Sequence, residues 1–456
     1  MAELWSPAHK VVLERRLWIA VMRAQAALGV DVPETAVAAS EAVVDRVDLA
    51  SIEARERVTR HDVKARVEEF AALAGHEHAH KGMTSRDVTE NVEQLQVRNG
   101  LRLVRARVVA TLARLADRAA EHEGTALAGR SHNVPAQVTT LGKRFANAGE
   151  ELLQALGRID DLLARYPLRG LKGPVGTSQD QLDLLGGDTD ALDRLEATIA
   201  SALGFSRSLT NVGQVYPRSL DLDVVAALLQ VAAGPSSLCT TIRLMAGSEL
   251  ASEGFAEGQV GSSAMPHKMN ARSCERVTGL TQVLRGHVTM VAGLAGDQWN
   301  EGDVSDSQVR RIALPDAFYA VDGIFQTFLA VLDGFTAHPA VIEAELRREL
   351  PFLTTTRVLM AAVQAGVGRE VAHEVIKEHA VGAALARRSG GESDLAPRLA
   401  GDPRLPLDAD ELEALLGDPL AVVGDAPRQV RSFVARVGEL VAEDPAAAAY
   451  VHEPIL

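Results

Sequence analysis

Apolar residues recur every three or four positions along much of this chain. Between Leu101 and Ala120 they stand at Leu101, Val104, Val108, Leu112, Leu115 and Ala119, with arginines between them. That spacing places them on one face of a helix. The stretch Leu220–Ala233 is apolar almost all round, which is typical of a helix buried inside a bundle. No alternating strand pattern is convincing, so the sequence predicts an all-α fold.

Turn residues suggest where this helical chain divides. No proline occurs from Cys274 to Leu314, which leaves room for one or two long helices. Turn residues near Gly100 and Pro351 separate helical blocks. We therefore expect an N-terminal helical domain over 1–100, a central helical-bundle domain over 101–350 and a C-terminal helical domain over 351–456. The buried middle helices also suggest helices shared between subunits.

Charge and cysteine content narrow the functional class. The formal net charge of −14 argues against a nucleic-acid or acidic-membrane partner, because both require a basic face. A small anionic substrate in a local basic pocket stays compatible with it. The two cysteines, Cys239 and Cys274, argue against a disulfide framework and fit a reducing cytosol. With neither a visible signal peptide nor an uncharged apolar run near the ~20 residues of a membrane span, we expect a soluble cytoplasmic protein.

The segment Gly254–Glu275, GFAEGQVGSSAMPHKMNARSCE, is polar and glycine-rich in an otherwise helical chain. Its glycines precede Ser262 and Ser263, and Lys268 and Asn270 then offer groups that can hold an anion. This composition favours a mobile lid that covers a binding site. An ordinary connecting loop is the alternative. The P-loop and nucleophile-elbow patterns are absent, so neither chemistry is indicated.

Histidines stand two apart in Gly75–Met83, at His76, His78 and His80. A zinc site is a minor alternative there, since no cysteine supports it. Three short polar segments, which we call polar islands, lie beside helical stretches: Arg60-His61-Asp62, Thr84-Ser85 and Ser131-His132-Asn133. Together with the lid, they suit an anionic ligand that bears hydroxyl groups.

A last polar cluster lies in Gln298–Arg311, where Ser305, Ser307, Arg310 and Arg311 stand at a predicted helix start. Backbone N–H groups at a helix start, together with guanidinium groups, can bind a phosphate or carboxylate. The alternative is a capped helix with solvated charges.

The segment GSSAMPHKMN resembles the signature of the fumarase/aspartase superfamily, with the adenylosuccinate lyase branch the most similar. The resemblance runs in order through nearly the whole chain, on LWSPAHKVVLERRLWIAVMRAQAALG, RVTRHDVKARVEEF, HKGMTSRDVTENVEQLQ, GRSHNVPAQVTTLGKRF, YPLRGLKGPVGT, QVYPRSLD, QWNEGDVS and RRIALPDAF. It implies a three-domain all-helical fold with a central long-helix bundle, in a homotetramer whose active sites combine segments of three subunits.

The same resemblance implies a reaction. Fumarate would be eliminated from adenylosuccinate to give AMP, and from the related succinyl-carboxamide ribotide SAICAR to give AICAR, in purine nucleotide biosynthesis. It implies a small-molecule nucleotide substrate and neither a metal nor an organic cofactor.

Residue by residue, Ser262 resembles the general base, with Ser263 as the alternative. His132 resembles the general acid that protonates the leaving nitrogen. His80 resembles the histidine that assists this acid, and Glu275 resembles the group that orients His132. Lys268 resembles a group that holds the succinyl carboxylates. The other matches are substrate-binding positions: Arg60, His61, Asp62, Ser307 and Arg311 for the nucleotide and phosphate, Thr84, Ser85 and Asn270 for the succinyl group, and Gln214, Ser263, Met269 and Arg276 as further contacts.

These residue types suit the implied chemistry. Removing a proton beside a carboxylate builds charge on that carboxylate, so cations and amides must already be aimed there. Serine is a weak base and needs lid closure and nearby positive charge. Members of the family usually carry an Arg-Tyr pair ahead of the segment that here begins at Leu4, and without it we expect fewer phosphate contacts. Two alternatives stay open: a paralogous lyase acting on another succinylated substrate, such as a nucleoside-antibiotic precursor, and a non-catalytic helical oligomer.

Overall fold

Long helices account for most of the computed structural model, which describes residues 1–255, 258–391, 394–416 and 418–454. The helices are α1 (Pro7–Ala27), α2 (Glu34–Ala42), α3 (Leu49–Thr59), α4 (Asp62–Ala74), α5 (Ser85–Glu121), α6 (Leu141–Arg165), α7 (Gln179–Leu184), α8 (Thr189–Ala202), α9 (Ser219–Gly247), α10 (Arg272–Ala292), α11 (Ser307–Gly334), α12 (Pro339–Leu353), α13 (Thr355–Gln364), α14 (Arg369–Arg388), α15 (Leu395–Ala400), α16 (Ala409–Leu416), α17 (Ala426–Glu443) and α18 (Pro445–Ala448). A 3-10 helix spans Pro419–Val422, and the short strands are β1 (Ala126–Ser131), β2 (Val134–Thr140), β3 (Ala251–Ser252) and β4 (Thr336–Ala337).

These bounds confirm the all-α prediction. The periodic stretch after Leu101 lies inside α5, and the apolar stretch after Leu220 lies inside α9. The proline-free stretch holds α10 and the start of α11. Helix α9 is long and apolar enough to cross a membrane by length and composition alone, and 56% of its most apolar window is buried inside the protein.

Among the described residues, the expectation of no strands is wrong at two places: β1 and β2 form an antiparallel hairpin, and the two-residue strands β3 and β4 also pair. The hairpin is the larger of the two. Its strands are short and their buried and exposed positions do not alternate regularly, so they show little of the apolar pattern that reveals a strand. Two of its buried side chains, Ala128 and Val138, pack with Leu346, Leu350 and Leu353 of α12. Packing on a helix therefore stabilises a hairpin whose own sequence signal is weak.

The chain forms two compact units, each built from three separate stretches. The first unit comprises Met1–Val108, Gln154–Ala233 and Gly279–Phe325, and in it α1 packs against α2 and α8 while α3 packs against α4. The second unit comprises Val109–Leu153, Gly234–Thr278 and Gln326–Leu456, and its largest C-terminal cluster joins α13, α14, α15 and α16.

The residues that suggested domain boundaries lie within helices. Gly100 is inside α5, where an added Cβ would lie 2.7 Å from the Phe318 ring, so close packing requires the glycine. Pro351 is inside α12. Neither residue marks a turn, and the division into three domains stays a prediction.

Candidate active site

A tight joint between α3 and α4 positions the Arg60-His61-Asp62 island. Arg60 ends α3 in the left-handed conformation, and His61 is the N-cap of α4. The His61 Nδ1 accepts the backbone N–H of Lys64 at 3.2 Å, so a neutral His61 holds its proton on Nε2, which lies 3.2 Å from Ser85 Oγ. The joint therefore presents a donor toward the start of α5.

The carboxyl group of Asp62 is kept ionised by its neighbour. Burial raises the pKa of Asp62, but the Arg66 guanidinium, at 3.0 Å, outweighs burial and leaves that pKa below its ordinary value. Asp62 is therefore an anion at neutral pH.

The start of α5 fixes the backbone at Thr84, next to Ser85. The fully buried Asp87 accepts the Thr84 backbone N–H at 2.8 Å and pairs with Arg169 at 2.6 Å. The same carboxylate accepts the Gly173 N–H at 3.0 Å. A buried carboxylate with so many donors anchors the helix start rigidly.

The start of α11 separates two neighbouring arginines. Arg310 is 2% exposed and pairs with Asp221 at 2.7 Å and Glu93 at 2.8 Å, so it belongs to a buried ion-pair network. Arg311 is exposed, and no ion pair among the described residues includes it. Ser307 begins the helix, as predicted. Of the two guanidinium groups, Arg311 is the one available to a ligand.

These helix starts meet at a cavity of about 400 Å³ in the first unit. We name it the helix-start cavity. Sequence reasoning missed two of its cations, Lys10 and Arg86, because neither lies in a polar island. Arg86 stands 3.4 Å from Glu90, whereas no described ion pair includes Lys10. The cavity is lined by seven of the predicted contacts: His61, Asp62, Thr84, Ser85, Gln214, Ser307 and Arg311.

His80 lies beside a second cavity of the first unit, about 1020 Å³ in volume, together with His61 and Ser85. Burial lowers the pKa of His80 below its ordinary value; Asp87 opposes this shift, and His61 and Lys64 add to it. His80 is therefore a neutral imidazole at neutral pH. His76 instead lies 3.1 Å from Ser40 Oγ and 2.8 Å from the Ala36 carbonyl, which is a structural role.

The residues described contain no group of three or more His, Cys, Asp or Glu side chains arranged to hold a metal ion. Residues 76–80 form a loop after α4, so the three histidines share no helix face.

His132 stands at the tip of the hairpin in the second unit. It forms the two-residue turn with Asn133, and both are left-handed, with φ of 52° and 61°. Two positive φ values define a type I′ turn, whose twist matches that of the paired strands. Arg130 pairs with Glu345 and donates to the Asn133 carbonyl at 3.2 Å. The exposed imidazole is thus carried on a short, braced turn.

The glycine-rich loop, residues 253–271 of the second unit, is closed at a neck between Gly261 and Lys268. A Cβ at Gly261 would lie 2.2 Å from the Lys268 carbonyl, so the neck requires glycine. The Asn270 amide donates to the Gly261 carbonyl at 3.0 Å, and Ser262 Oγ accepts the Met265 N–H at 3.2 Å. Ser263, Lys268 and Met269 are exposed. Ala256 and Glu257 of the predicted lid lie outside the described residues.

A residue that the sequence did not single out, Glu253, ties the base of this loop together. Its carboxylate is 8% exposed and accepts the backbone N–H groups of Ser273 at 2.9 Å and Cys274 at 2.8 Å. It therefore caps α10 and joins the start of the loop to its end. No local spacing reveals such a contact between residues twenty positions apart.

Glu275 and Arg276 are exposed on the first turn of α10. The Glu275 carboxylate lies 3.7 Å from Arg243. Among the described residues, no hydrogen bond or ion pair joins Glu275 to His132. The predicted orienting role thus stays a prediction, as does the meeting of His132 with Ser262.

Comparisons with known proteins agree on one family. The family model described as "Lyase" matches residues 6–286, and the one described as "Adenylosuccinate lyase C-terminus" matches residues 351–433. The adenylosuccinate lyase of Saccharomyces cerevisiae is 35% identical over 95% of this chain and 91% of its own length. That of Schistosoma mansoni is 34% identical over 93% and 90%, respectively.

Solved structures show the same fold. The 3-carboxy-cis,cis-muconate lactonizing enzyme of Pseudomonas putida superimposes with a TM-score of 0.82 at 23% identity, covering 96% of this chain and 97% of its own. The fumarate lyase of Mesorhizobium sp. BNC1 gives a TM-score of 0.80 at 23% identity, covering 95% and 96%. The chain therefore belongs to the adenylosuccinate lyase family, within the fumarase/aspartase superfamily of lyases.

Proposed function

We propose that this enzyme eliminates fumarate from adenylosuccinate, giving AMP in purine nucleotide biosynthesis, and from SAICAR, giving AICAR. The carbon–nitrogen bond breaks, one proton leaves the neighbouring carbon, and one proton joins the departing nitrogen. The observation that carries the proposal is the helix-start cavity, because seven of the predicted substrate contacts line it together. The similarity to adenylosuccinate lyases along almost the whole chain supports the same reaction.

The phosphate of the substrate is assigned to the start of α11. Arg311 supplies a guanidinium that can form two parallel hydrogen bonds to phosphate oxygens, and the N-terminus at Ser307 adds backbone donors and the positive end of the helix dipole. Lys10 adds a further cation to the cavity. Arg60, His61, Asp62 and Gln214 complete the nucleotide side.

The succinyl group is assigned to Thr84, Ser85, Lys268 and Asn270. Charge develops on its carboxylate when the adjacent carbon loses a proton, so donors fixed before the reaction lower the barrier. Thr84 satisfies that requirement through the buried anchor at Asp87, and Ser85 Oγ is placed 3.2 Å from Nε2 of His61. Met269 and Arg276 are proposed as further contacts.

The proton transfers are assigned to Ser262 and His132. Ser262, with Ser263 as its alternative, removes the proton from carbon, which requires Lys268 nearby and water excluded. His132 protonates the leaving nitrogen, Glu275 orients it, and His80 assists. An imidazole acid near its working pH contributes about 10²- to 10⁴-fold to the rate.

We further propose a homotetramer whose sites combine segments of different subunits, operating in the cytoplasm. The site residues of one chain divide between the two units, with His132 and Ser262 in the second and the helix-start cavity in the first. In this arrangement neighbouring subunits contribute the acid and the base to each cavity. The free, buried thiols of Cys239 and Cys274 fit a reducing compartment.

The test is turnover of purified protein with adenylosuccinate, followed by the ultraviolet absorbance change as AMP forms. Fumarate should appear in equal amount. SAICAR in a parallel reaction tests the second substrate. Turnover of a different succinyl adduct, with adenylosuccinate untouched, would favour the paralogous lyase. An intact tetramer that turns over no succinyl adduct would favour a non-catalytic scaffold.

A further inference from the structure

The core of the first unit contains a polar contact that reaches the site. Trp18 of α1 is fully buried, and its indole Nε1 lies 3.1 Å from Nδ1 of His80. The Trp18 and His80 rings meet edge to face, with centroids 6.1 Å apart. Trp18 also stacks on Phe70, with ring centroids 5.8 Å apart, so the buried indole has little freedom to turn.

The direction of this hydrogen bond follows from chemistry alone. An indole N–H can only donate, so Nδ1 of His80 must accept and cannot bear a proton. The neutral His80 ring therefore bears its proton on Nε2. No hydrogen-bond partner of Nε2 lies within the described ranges, and His80 lines the larger cavity of the first unit. With Nδ1 held in the core, Nε2–H is the donor available to that cavity.

The backbone at His80 indicates that this placement is maintained against a local cost. His80 is left-handed, with φ of 69°, a conformation that non-glycine residues adopt at a cost of roughly 1 kcal/mol or more. Such residues cluster at functional sites, because the surrounding structure must hold them. Here the surrounding contact is the Trp18 indole.

The groups around His80 allow this neutral form. Asp87 of α5 favours the protonated ring, whereas His61 and Lys64 of α4 oppose it, and burial opposes it most. Arg55, Glu68 and Glu77 line the same cavity. A hydrogen bond accepted by Nδ1 exists only in the neutral ring, so Trp18 acts in the same direction as burial.

We propose that Trp18 is a positioning residue, whose indole N–H fixes His80 as the Nε2–H tautomer and directs that donor into the cavity. The role of this donor toward substrate or general acid rests on the proposed function. The hold of Trp18 on His80 does not, and it can be measured without turnover.

The experiment labels the histidines of the full-length protein with nitrogen-15 and follows their imidazole signals by NMR across a pH titration. The His80→Gln variant identifies the His80 signals by their loss. In the unsubstituted protein we expect the neutral His80 ring to carry its proton on Nε2 at neutral pH. Trp18→Phe keeps a ring and removes the donor, so the pKa of His80 should rise by about 0.5 to 1, the equivalent of one ordinary hydrogen bond.

The matched control is Phe70→Leu, which disturbs the same aromatic stack and removes no polar atom. It should lower the melting temperature and leave the His80 titration in place. A neutral His80 with its proton on Nδ1 would overturn the proposal, and this readout decides alone should Trp18→Phe fail to fold. Equal titration of His80 in Trp18→Phe and the unsubstituted protein, or equal shifts in both variants, would also overturn it.

Kinetics connect the contact to the reaction. If neutral His80 donates, the acidic limb of the kcat profile with adenylosuccinate should move to higher pH in Trp18→Phe by the same 0.5 to 1, and stay in place in Phe70→Leu. If the acidic limb of the kcat profile stays in place in Trp18→Phe although the His80 titration moves, neutral His80 has no role in catalysis. Absence of turnover in every form would reject the proposed function, while the NMR result still decides whether Trp18 holds His80.

Discussion

Arg310 and Arg311 are adjacent on α11, yet their replacement by glutamine should affect different properties. One substitution should weaken substrate binding, and the other should destabilise the fold. Arg311 is exposed and lines the helix-start cavity without a described ion pair, so Arg311→Gln removes a cation and leaves the fold intact. A hydrogen bond between charged groups contributes about 1.5–3 kcal/mol. We therefore expect the KM for adenylosuccinate to rise about 10- to 150-fold, with kcat much less affected, because a distant phosphate contact is equal in ground and transition states.

Arg310→Gln is the matched control. Its guanidinium is almost completely buried between Asp221 and Glu93, and the buried Glu90 lies 3.9 Å away. Removing one partner of a buried ion pair leaves uncompensated charge and costs about 3–5 kcal/mol. This variant should unfold at clearly lower temperature and urea concentration than the unsubstituted enzyme.

Initial rates over a range of adenylosuccinate concentrations give KM and kcat, and urea unfolding on the same preparations gives stability. The assignment requires a KM effect with normal stability for Arg311→Gln, and a stability loss for Arg310→Gln. An unchanged KM for Arg311→Gln would remove Arg311 from the phosphate site. If Arg311→Gln lost as much stability as Arg310→Gln, Arg311 would not be the exposed neighbour of a buried Arg310.

Three further predictions address catalysis, pH and the turn. Ser262→Ala and His132→Ala should each abolish turnover at unchanged oligomer size by gel filtration, and mixing the two variants should restore partial activity; no rescue after confirmed subunit exchange would count against shared sites. Glu90 is buried, which raises its pKa, but Arg218 and Arg310 outweigh burial and hold that pKa below its ordinary value. Its contribution to stability is therefore full at neutral pH and is lost as pH falls through the lowered pKa of the folded state, so Glu90→Gln should lower stability by about 3–5 kcal/mol at pH 7 and by progressively less as the pH falls below the ordinary carboxyl range, as measured by urea unfolding. Asn133→Gly should preserve activity and melting temperature, whereas Asn133→Val, which resists a positive φ, should lower both, with about 1–2 kcal/mol lost in unfolding; equal behaviour of the two variants would contradict the left-handed turn.

The fold could be predicted because its signals are local. The periodic residues of α5 and the apolar residues of α9 lie within one helix each, and Ser307 begins α11 as its polar neighbours indicated. The hairpin escaped prediction because its stability depends on α12, more than two hundred residues away in sequence. A strand that packs on a distant helix leaves little pattern of its own.

Many of the residues that line the helix-start cavity could be selected from the sequence, but which of them form buried ion pairs could not. Arg310 and Arg311 look alike in the sequence, and only the positions of Asp221 and Glu93 separate the buried ion pair from the available cation. Glu253 and Trp18 carry no motif, since each acts through a partner twenty or more positions away. Long-range pairing of this kind is specified by packing and leaves no spacing to read.

The short turn at His132 has a consequence for how this region tolerates change in length. One residue inserted between β1 and β2 breaks the two-residue turn, and a hairpin that keeps a tight turn must then slip its pairing register by one residue, which sends every following side chain of β2 to the opposite face. Val138 would then leave its contacts on α12 as the imidazole changed direction. Insertion scanning along the hairpin should therefore disturb the direction of His132 and the packing of Val138 on α12 together.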